Sequence, residues 1–543
     1  MYPATKKLPN FQSKSKALLL SAIIPLLLSA FAHIWNPIGF PTFHVDEGHY
    51  MRRAMQVLEG LGPQETNATY EYGYDHPYFG QIFLASSLSL INYPASVNPS
   101  VNLHSIEMLY LVPRVLMGIL AVFDTFLVYK IGETRYNKKV GFISASLFAI
   151  MPLSRILRAI LLDSIELPFI LLSILFAVFY SKLTQNSNSI YTHEKKVILL
   201  LLSGLFLGVS IFTKVPMFTM IPLVSFIILK NVKSGESAKS KTKNRLRTLA
   251  IWFIPVVLIP SIWPAYAISM GQFGQWVDGV LYQTARQGGR DLLYSFTLVG
   301  QIDPLLIILG FAGIIYSAVK KDLLVILWTV PYLIFLYLIG WVVYFHWSVL
   351  LPVLCIGAGI LVEGLRRRLA SHKFISLLPY VMVSAVAIFG FLNISSLTSS
   401  DLNKSYTEVY LYVTKELQHN KVSMSNQNDD SGTTLIGSHR TRALLWMTKY
   451  VFHDNITFRD TDLPHDNFTN PLHTKKYIIV ADSNLLARLT EVKQFAKYAH
   501  ISKLYYDPSQ TIATFIDESN KDIFFNLREN YGFGPFVEVR ANY

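Results

Sequence analysis

Apolar residues fall along this chain in long runs with few interruptions, such as 17–33 (ALLLSAIIPLLLSAFAH) and 197–213 (VILLLLSGLFLGVSIFT). Runs close to the roughly 20 residues that cross a bilayer predict transmembrane helices, not the amphipathic stripes of a soluble core. Spans are expected near 17–36, 107–130, 139–157, 160–181, 197–213, 215–231, 248–269, 300–319, 322–343, 346–364 and 374–396. That is about eleven crossings at roughly 20 residues each. Two hydrophilic regions interrupt the pattern. The loop 37–106 is rich in acidic, His and Tyr residues, and its apolar stretch 80–93 (GQIFLASSLSLINY) reads as an interfacial helix because it is too short to span. From about residue 400 to 543, strand-like runs (TTLIG, KKYIIVAD, TIATFID) alternate with helix-like ones (YTEVYLYVTKEL, HRTRALLWMTKYVF, NLLARLTEVKQFAKYA). Such alternation predicts a small α/β domain. The expected fold is therefore mainly α: a polytopic transmembrane helical domain over 1–399, with outer loop 37–106, then a soluble extracytoplasmic α/β domain over 400–543.

Composition supports the membrane reading, with 52% hydrophobic and only 15% charged residues among 543. The net charge of +13 would suggest nucleic acid in a soluble protein, but its distribution argues otherwise. Lys and Arg gather in short segments between spans: Arg135, Lys138 and Lys139; Lys182, Lys195 and Lys196; the stretch Lys230 to Arg247; Lys320 with Lys321; and Arg366 to Arg368. Positive charge marks cytoplasmic loops, so the N-terminus is expected inside, with the 37–106 loop and the tail outside. Sequons at Asn67, Asn393, Asn403, Asn455 and Asn467 all fall outside in that topology. They suit an archaeal or eukaryotic setting, while the compact loops fit a prokaryotic cell membrane. The basic N-terminus before the first run also fits a signal peptide ending near Ala30-Phe31-Ala32, and either way the loop beyond that run is delivered outside. The single cysteine, Cys355, excludes an intramolecular disulfide and a thiolate cluster, and reads as a small packed residue. No P-loop, H-E-x-x-H, C-x-x-C or G-x-S-x-G occurs, so nucleotide hydrolysis and zinc-thiolate chemistry have no foothold.

The segment Phe43-His44-Val45-Asp46-Glu47-Gly48-His49-Tyr50, just after the first span, carries the strongest chemical signal. Adjacent carboxylates at a membrane surface repel and cost desolvation energy. On a helix, Asp46 and Glu47 would sit about 100° apart, so one can face a site while the other caps or pairs elsewhere. Tyr74-Asp75-His76-Pro77-Tyr78 is a turn-prone cluster with a titratable pair, for which an ordinary Asx-turn is an equal account. Cations occupy costly positions: Arg114 within LVPRVLMGILAVF, Arg155 and Arg158 beside Asp163, and Lys214 between two apolar runs. An ion pair of Arg114 with Asp124 or Asp163, or of Arg158 with Asp163 or Glu166, is the structural alternative. In the outer loop 270–300, ARQGGRD brings Arg290 beside a Gly pair, which suits phosphate or lipid headgroups. His346 and Trp347 open the tenth span and fit an aromatic belt as well as a site.

These residues in this order resemble the GT-C glycosyltransferases, in particular the dolichyl-phosphate-mannose protein mannosyltransferase and lipid-A aminoarabinose transferase group, over roughly residues 15–365. Asp46-Glu47 resembles the family's acidic motif in the first outer loop, and Asp75-His76-Pro77 its downstream His-Pro segment. Arg114 in PRVLMGILAVFDTFLVYKIGE, the hairpin SRILRAILLDS, and GLFLGVSIFTKVPMFTMIPL are similar to further family segments. The chain departs at HWSVLLPVL, where members often have an arginine and this sequence has His346. It also lacks a lectin-like insert and a WWD motif. The resemblance implies sugar transfer from a polyprenyl-phosphate donor to a protein, lipid or glycan acceptor, by a single inverting displacement. Asp46 would be the base, and Glu47 would position it or the acceptor. Arg114, Arg158 and Lys214 would hold the departing phosphate, with Asp75, His76, Asp163, Arg290 and His346 as further substrate contacts. No cofactor is required, although some members use a divalent metal for which Asp75 and His76 are candidate ligands. The competing expectations are a secondary transporter using Asp46, Arg114 and Asp163, and an inactive scaffold presenting its tail.

Overall fold

The computed structural model describes residues 11–63, 74–185, 192–230, 238–285, 291–372, 374–424, 434–453, 457–461, 477–490, 498, 501–516 and 536–541. Helix α1 (Phe11–Ile34) leads into the outer loop, which holds α2 (Val45–Leu58) and α3 (Phe79–Ser89). The bundle continues with α4 (Leu103–Arg135), α5 (Lys138–Ile150), α6 (Leu162–Gln185), α7 (Thr192–Thr213) and α8 (Ile221–Leu229). Beyond these come α9 (Ala238–Leu258), α10 (Ile262–Ser269), α11 (Phe273–Ala285), α12 (Leu292–Ile302), α13 (Pro304–Val319), α14 (Leu323–Ile339), α15 (Leu351–Arg368) and α16 (Leu378–Thr398).

Every expected span overlaps a helix, but the spans are less regular than the apolar runs suggest. Among the described residues four helices, Leu103–Arg135, Leu162–Gln185, His193–Thr213 and Ile375–Thr398, are long and apolar enough to cross a membrane, and three bent pairs raise the number to at most 7. The breaks have local causes. At Asp303-Pro304 the chain turns by 117°, because proline cannot donate to the preceding turn and Asp303 caps the new helix by accepting from Leu306 N. At Met151-Pro152 a 69° bend leads into a 3₁₀ segment, Pro152–Arg158. Similar 3₁₀ segments, Val215–Met220 and Tyr344–Val349, shorten the expected spans at 215–231 and 346–364. Where helices run close, glycine makes room. A Cβ on Gly204 or Gly208 of α7 would stand 2.2 or 2.5 Å from backbone oxygens of α9, the close approach that small residues four apart allow.

The tail forms a five-stranded mixed sheet from β1 (Thr434–Gly437), β2 (Thr457–Asp460), β3 (Tyr477–Asp482), β4 (Gln510–Ile516) and β5 (Phe536–Ala541), in the order β2-β1-β3-β5-β4. β1 runs parallel to β2 and β3, while β5 is antiparallel to β3 and β4. Both β1 and β3 are buried at every residue, as parallel strands covered on two faces require. Helices α17 (Lys404–Met424), α18 (His439–Tyr450) and α19 (Ser483–Thr490) accompany the sheet. The tail does not stand apart from the bundle. One apolar core joins Met51, Ala54, Leu84 and Leu109 of the outer loop and α4 to Val413, Trp446, Met447 and Val539 of the tail.

Two of the five sequons are buried in the fold. Asn393 and Asn403 are buried, so neither offers its amide to a glycosylating enzyme, and neither supports the topology. Asn403 is instead a latch: its amide donates to Ile38 O and Pro41 O, and its oxygen accepts from Phe43 N. Asn67, Asn455 and Asn467 lie outside the described residues.

Candidate active site

Helix α2 begins shortly after the end of α1, beyond the turn at 35–41. His44 is its N-cap: its ring accepts from Asp46 N, and its own N–H donates to Glu47 Oε2 at 2.9 Å. This reciprocal box fixes the first turn, so the neighbouring carboxylates point in different directions. Glu47 is fully buried, whereas the Asp46 side chain keeps 34% of its exposure.

Glu47 is saturated. Oε1 accepts from Arg114 Nε at 3.0 Å and from Ile160 N at 2.9 Å, and Oε2 accepts from Arg114 Nη2 at 2.6 Å as well as from His44 N. Arg114, also fully buried, spends its remaining donors on the carbonyls of Pro37, Pro41 and Thr42. All five guanidinium hydrogens are committed. Arg114 is therefore a strut tying α4 to the loop before α2, and its expected contact with a donor phosphate is not supported. Its partner is Glu47, not Asp124 or Asp163. Arg158 also faces backbone carbonyls, although its Nε has no hydrogen-bond partner. It is buried, and it donates to the carbonyls of Ala32, Trp35 and Asn36 at the end of α1, not to Asp163 or Glu166.

Another cation with an acidic partner on the Asp46 side of the bundle is Lys214. Its ammonium donates to both oxygens of Asp163 at 2.7 Å, and lies 5.4 Å from the centre of the Phe345 ring. The same ring meets the edge of His44 at 5.5 Å, and His44 Nδ1 is 3.7 Å from Asp46 Oδ2. A continuous chain of contacts thus runs Asp46, His44, Phe345, Lys214, Asp163. It joins the outer loop, α6, the end of α7 and the Tyr344–Val349 turn. His346 occupies that turn with its ring 5.2 Å from Phe345, and its carbonyl accepts from Tyr332. One helical turn beyond Asp163, Glu166 is fully buried and neither oxygen has a hydrogen-bond partner.

On the other side of Asp46 lies a second acid. Asp75 receives Arg53 Nη2 at 2.5 Å, and its other oxygen is 3.7 Å from His49 Nε2. Burial opposes its ionisation, but Arg53, His76 and His49 outweigh that and hold the carboxyl well below the usual carboxylate range. His49 is lowered as well, to about 4, by burial first and then by the Arg53 charge, so its ring is held neutral. Arg52 donates to His49 Nδ1 at 2.9 Å; since arginine only donates, the neutral ring carries its proton on Nε2, facing Asp75. Tyr50 stands between these groups, 6.3 Å from the His76 ring and within electrostatic reach of Asp46, Asp163 and Asp75. The Asp75 turn is braced by Tyr74, whose hydroxyl donates to Gln272 and whose carbonyl abuts Gly279 of α11.

The sequence singled out Asp46, Glu47, Asp75, His76, Asp163, Lys214 and His346, and the fold gathers them around the start of α2. Arg290 lies outside the described residues. Arg53, Tyr50 and Phe345 were missed. A helical reading of 46–53 would have found the first two, because positions 46, 50 and 53 share one face. No sequence signal marks Phe345. Among the described residues no group of three His, Cys, Asp or Glu side chains is arranged as metal ligands. Asp75 already faces Arg53 and His49, so Asp75 and His76 form no metal-binding set by themselves.

Gly48, one residue past the acidic pair, faces the tail. A Cβ there would stand 2.3 Å from the carbonyl oxygen of Ala443 on α18, and the Tyr110 hydroxyl donates to that same oxygen at 2.9 Å. The tail domain thus forms a wall against the helix that carries Asp46.

Residues 67–271 match the family model of dolichyl-phosphate-mannose-protein mannosyltransferase, and no curated protein sequence matches the chain. The fold is similar to the oligosaccharyltransferase of Archaeoglobus fulgidus tethered with an acceptor peptide, at 12% identity and TM-score 0.57 over 93% of this chain and 73% of that one. It is similar also to the AglB oligosaccharyltransferase of that organism in complex with an inhibitory peptide and a dolichol-phosphate, at 13% identity and TM-score 0.57 over 90% and 71%. ArnT from Cupriavidus metallidurans bound to undecaprenyl phosphate aligns at 11% identity and TM-score 0.50 over 97% of this chain and 98% of that one. Identities this low speak to the fold alone: the chain shares the polytopic membrane-helical fold of these GT-C structures, and its residues 67–271 are similar to the mannosyltransferase family model.

Proposed function

We propose that this protein transfers a sugar, of the hexosyl or mannosyl type, from a polyprenyl-phosphate donor to a protein, lipid or glycan acceptor. The observation that carries the reading is the division of labour at the start of α2. Glu47 is consumed by Arg114, while Asp46 stays partly exposed and linked through His44 and Phe345 to a lysine. That arrangement supplies the two things such a transfer needs, a base for the acceptor and a cation for the leaving phosphate. The matched family and the lipid phosphates bound by the ArnT and AglB relatives support the donor class.

In this mechanism Asp46 takes the proton of the acceptor as its heteroatom attacks the anomeric carbon. The bond from that carbon to the phosphate oxygen breaks in the same displacement, inverting the centre. Negative charge grows on the departing polyprenyl phosphate, where the Lys214 ammonium meets it. Lysine has three N–H donors, and Asp163 engages two, so one is free to meet a phosphate oxygen. Asp163 keeps Lys214 aimed, and Asp75, His76 and His346 border the same space as substrate contacts. The Lys- and Arg-rich end of the bundle faces the cytoplasm of a prokaryotic cell, and the Asp46 loop and the tail face outward.

The test is sugar transfer by purified Asp46→Asn from a polyprenyl-phosphate-linked sugar. The expected loss is about 10²–10⁴-fold, the usual contribution of a positioned base, with donor binding and unfolding temperature retained. Wild-type activity in that variant would remove Asp46 as the base.

A further inference from the structure

At the end of the bundle away from Asp46, the terminal turns of α4, α6 and α8 enclose a cavity of about 140 Å³, with Leu324 of α14 on its wall. Three cations converge on it from three helices: Arg135 closing α4, Lys182 in the last turn of α6, and Lys230 capping α8. Gln185 adds a neutral amide, and Phe226 with Leu324 gives the cavity an apolar side. One acid answers these charges among the described residues. Asp322 accepts from Arg135 at 3.3 Å and from Tyr136 at 2.7 Å, which leaves Lys182 and Lys230 as positive charge in excess among the described residues. Lys230 lies 5.8 Å from the centre of the Phe226 ring, a contact that steadies the ammonium without neutralising it.

The volume is about ten times the roughly 10–15 Å³ that one water needs, room for a phosphate group with part of its hydration. Convergent cations with amide donors suit that anion. The apolar side, at helix ends where a bundle meets a bilayer surface, suits the first carbons of an acyl chain. We propose that this cavity is a binding site for the phosphate of an anionic lipid, separate from the Asp46 site and independent of the transfer reaction. Basic pockets between membrane helices recognise headgroups in this way. The shared chemistry is a phosphate oxyanion, and free phosphate is the other source of it.

The experiment uses the purified full-length protein, delipidated in detergent and offered phosphatidylglycerol or phosphatidylcholine, with retained lipid counted by native mass spectrometry. Wild type should retain phosphatidylglycerol over phosphatidylcholine. In the double variant Lys182→Gln with Lys230→Gln that preference should fall about thirtyfold, the roughly 1 kcal/mol per basic residue at an anionic surface taken twice. Lys182→Arg with Lys230→Arg should keep it. Both lysines are exposed, so the variants should fold, and the arginine pair guards against a loss caused by misfolding. A further arm adds millimolar inorganic phosphate. Displacement of the lipid identifies the phosphate as the recognised group and free phosphate as an equal ligand; persistence assigns the site to the intact lipid. The proposal is overturned if wild type shows no preference for phosphatidylglycerol, or if the glutamine pair keeps it in full.

Discussion

Two buried ion pairs flank the same helical turn, and they differ in what they leave unspent. In Glu47–Arg114 every acceptor and donor is used, both side chains are fully buried, and the pair binds three segments of backbone together. In Asp163–Lys214 the carboxylate holds two of three ammonium hydrogens, Glu166 lies one turn away without a hydrogen-bond partner, and an aromatic ring links the lysine to Asp46. Saturation marks the first pair as architecture. Residual donor capacity marks the second as the place where a substrate charge can be received.

The comparison breaks most sharply through the sealed pair. Removing one partner strands the other as a buried charge, so Arg114→Met and Glu47→Ala should each cost about 3–5 kcal/mol of stability. Thermal unfolding in detergent measures this, and a variant as stable as wild type would deny the strut role. Lys214→Gln probes the other pair: transfer should fall about 10²–10³-fold, the loss typical of removing one transition-state donor. Its KM for the polyprenyl donor should rise while the acceptor KM holds, and an unchanged donor dependence would move the phosphate elsewhere.

A smaller effect tests whether the tail steadies this turn. Gly48→Ala forces a methyl into the Ala443 carbonyl, backbone against backbone, so α18 must shift. About 1–3 kcal/mol of stability should be lost, and transfer should drop with it. Replacing the partner by glycine cannot rescue this variant, because the clash is with a carbonyl and not a side chain.

The smallest effect is a pH dependence on the Asp75 side. His49 has a folded value near 4, below its ordinary value of 6.5, so the unfolded chain binds the extra proton first. Stability should therefore fall as pH drops from about 6.5 towards 4, by about 1 kcal/mol at pH 5.5. Asp75, held low by Arg53, keeps its contribution across that window and loses it only in stronger acid. Unfolding midpoints between pH 7 and 5 check the sign, and His49→Gln should flatten the slope.

Much of this was legible in the sequence. Apolar runs marked the helices of the bundle, because a helix satisfies its own backbone polar groups in a bilayer, but not how many cross: among the described residues four helices, or up to 7 with bent pairs, are long and apolar enough. Lys and Arg between the runs set an expected orientation. Alternating strand and helix patterns determined an α/β tail, although β2 and β5 went unread, since four to six residues carry too little periodicity. Helical geometry alone separates Asp46 from Glu47 by a third of a turn.

What the tertiary structure alone decided is which charge meets which. Glu47 and Arg114 are 67 positions apart and Asp163 and Lys214 are 51 apart, so no local pattern names the partners. A buried cation is satisfied by whichever carboxylate or carbonyl its neighbouring helices bring within about 3 Å. For Arg114 and Arg158 those neighbours proved to be the loop before α2 and the end of α1, which turned two expected phosphate ligands into supports. For Lys214 it was one acid with a donor to spare. The burial of Asn393 and Asn403 obeys the same logic: a triplet is read from three residues, but its accessibility depends on the distant segments that pack against it, which for Asn403 are Ile38 to Phe43.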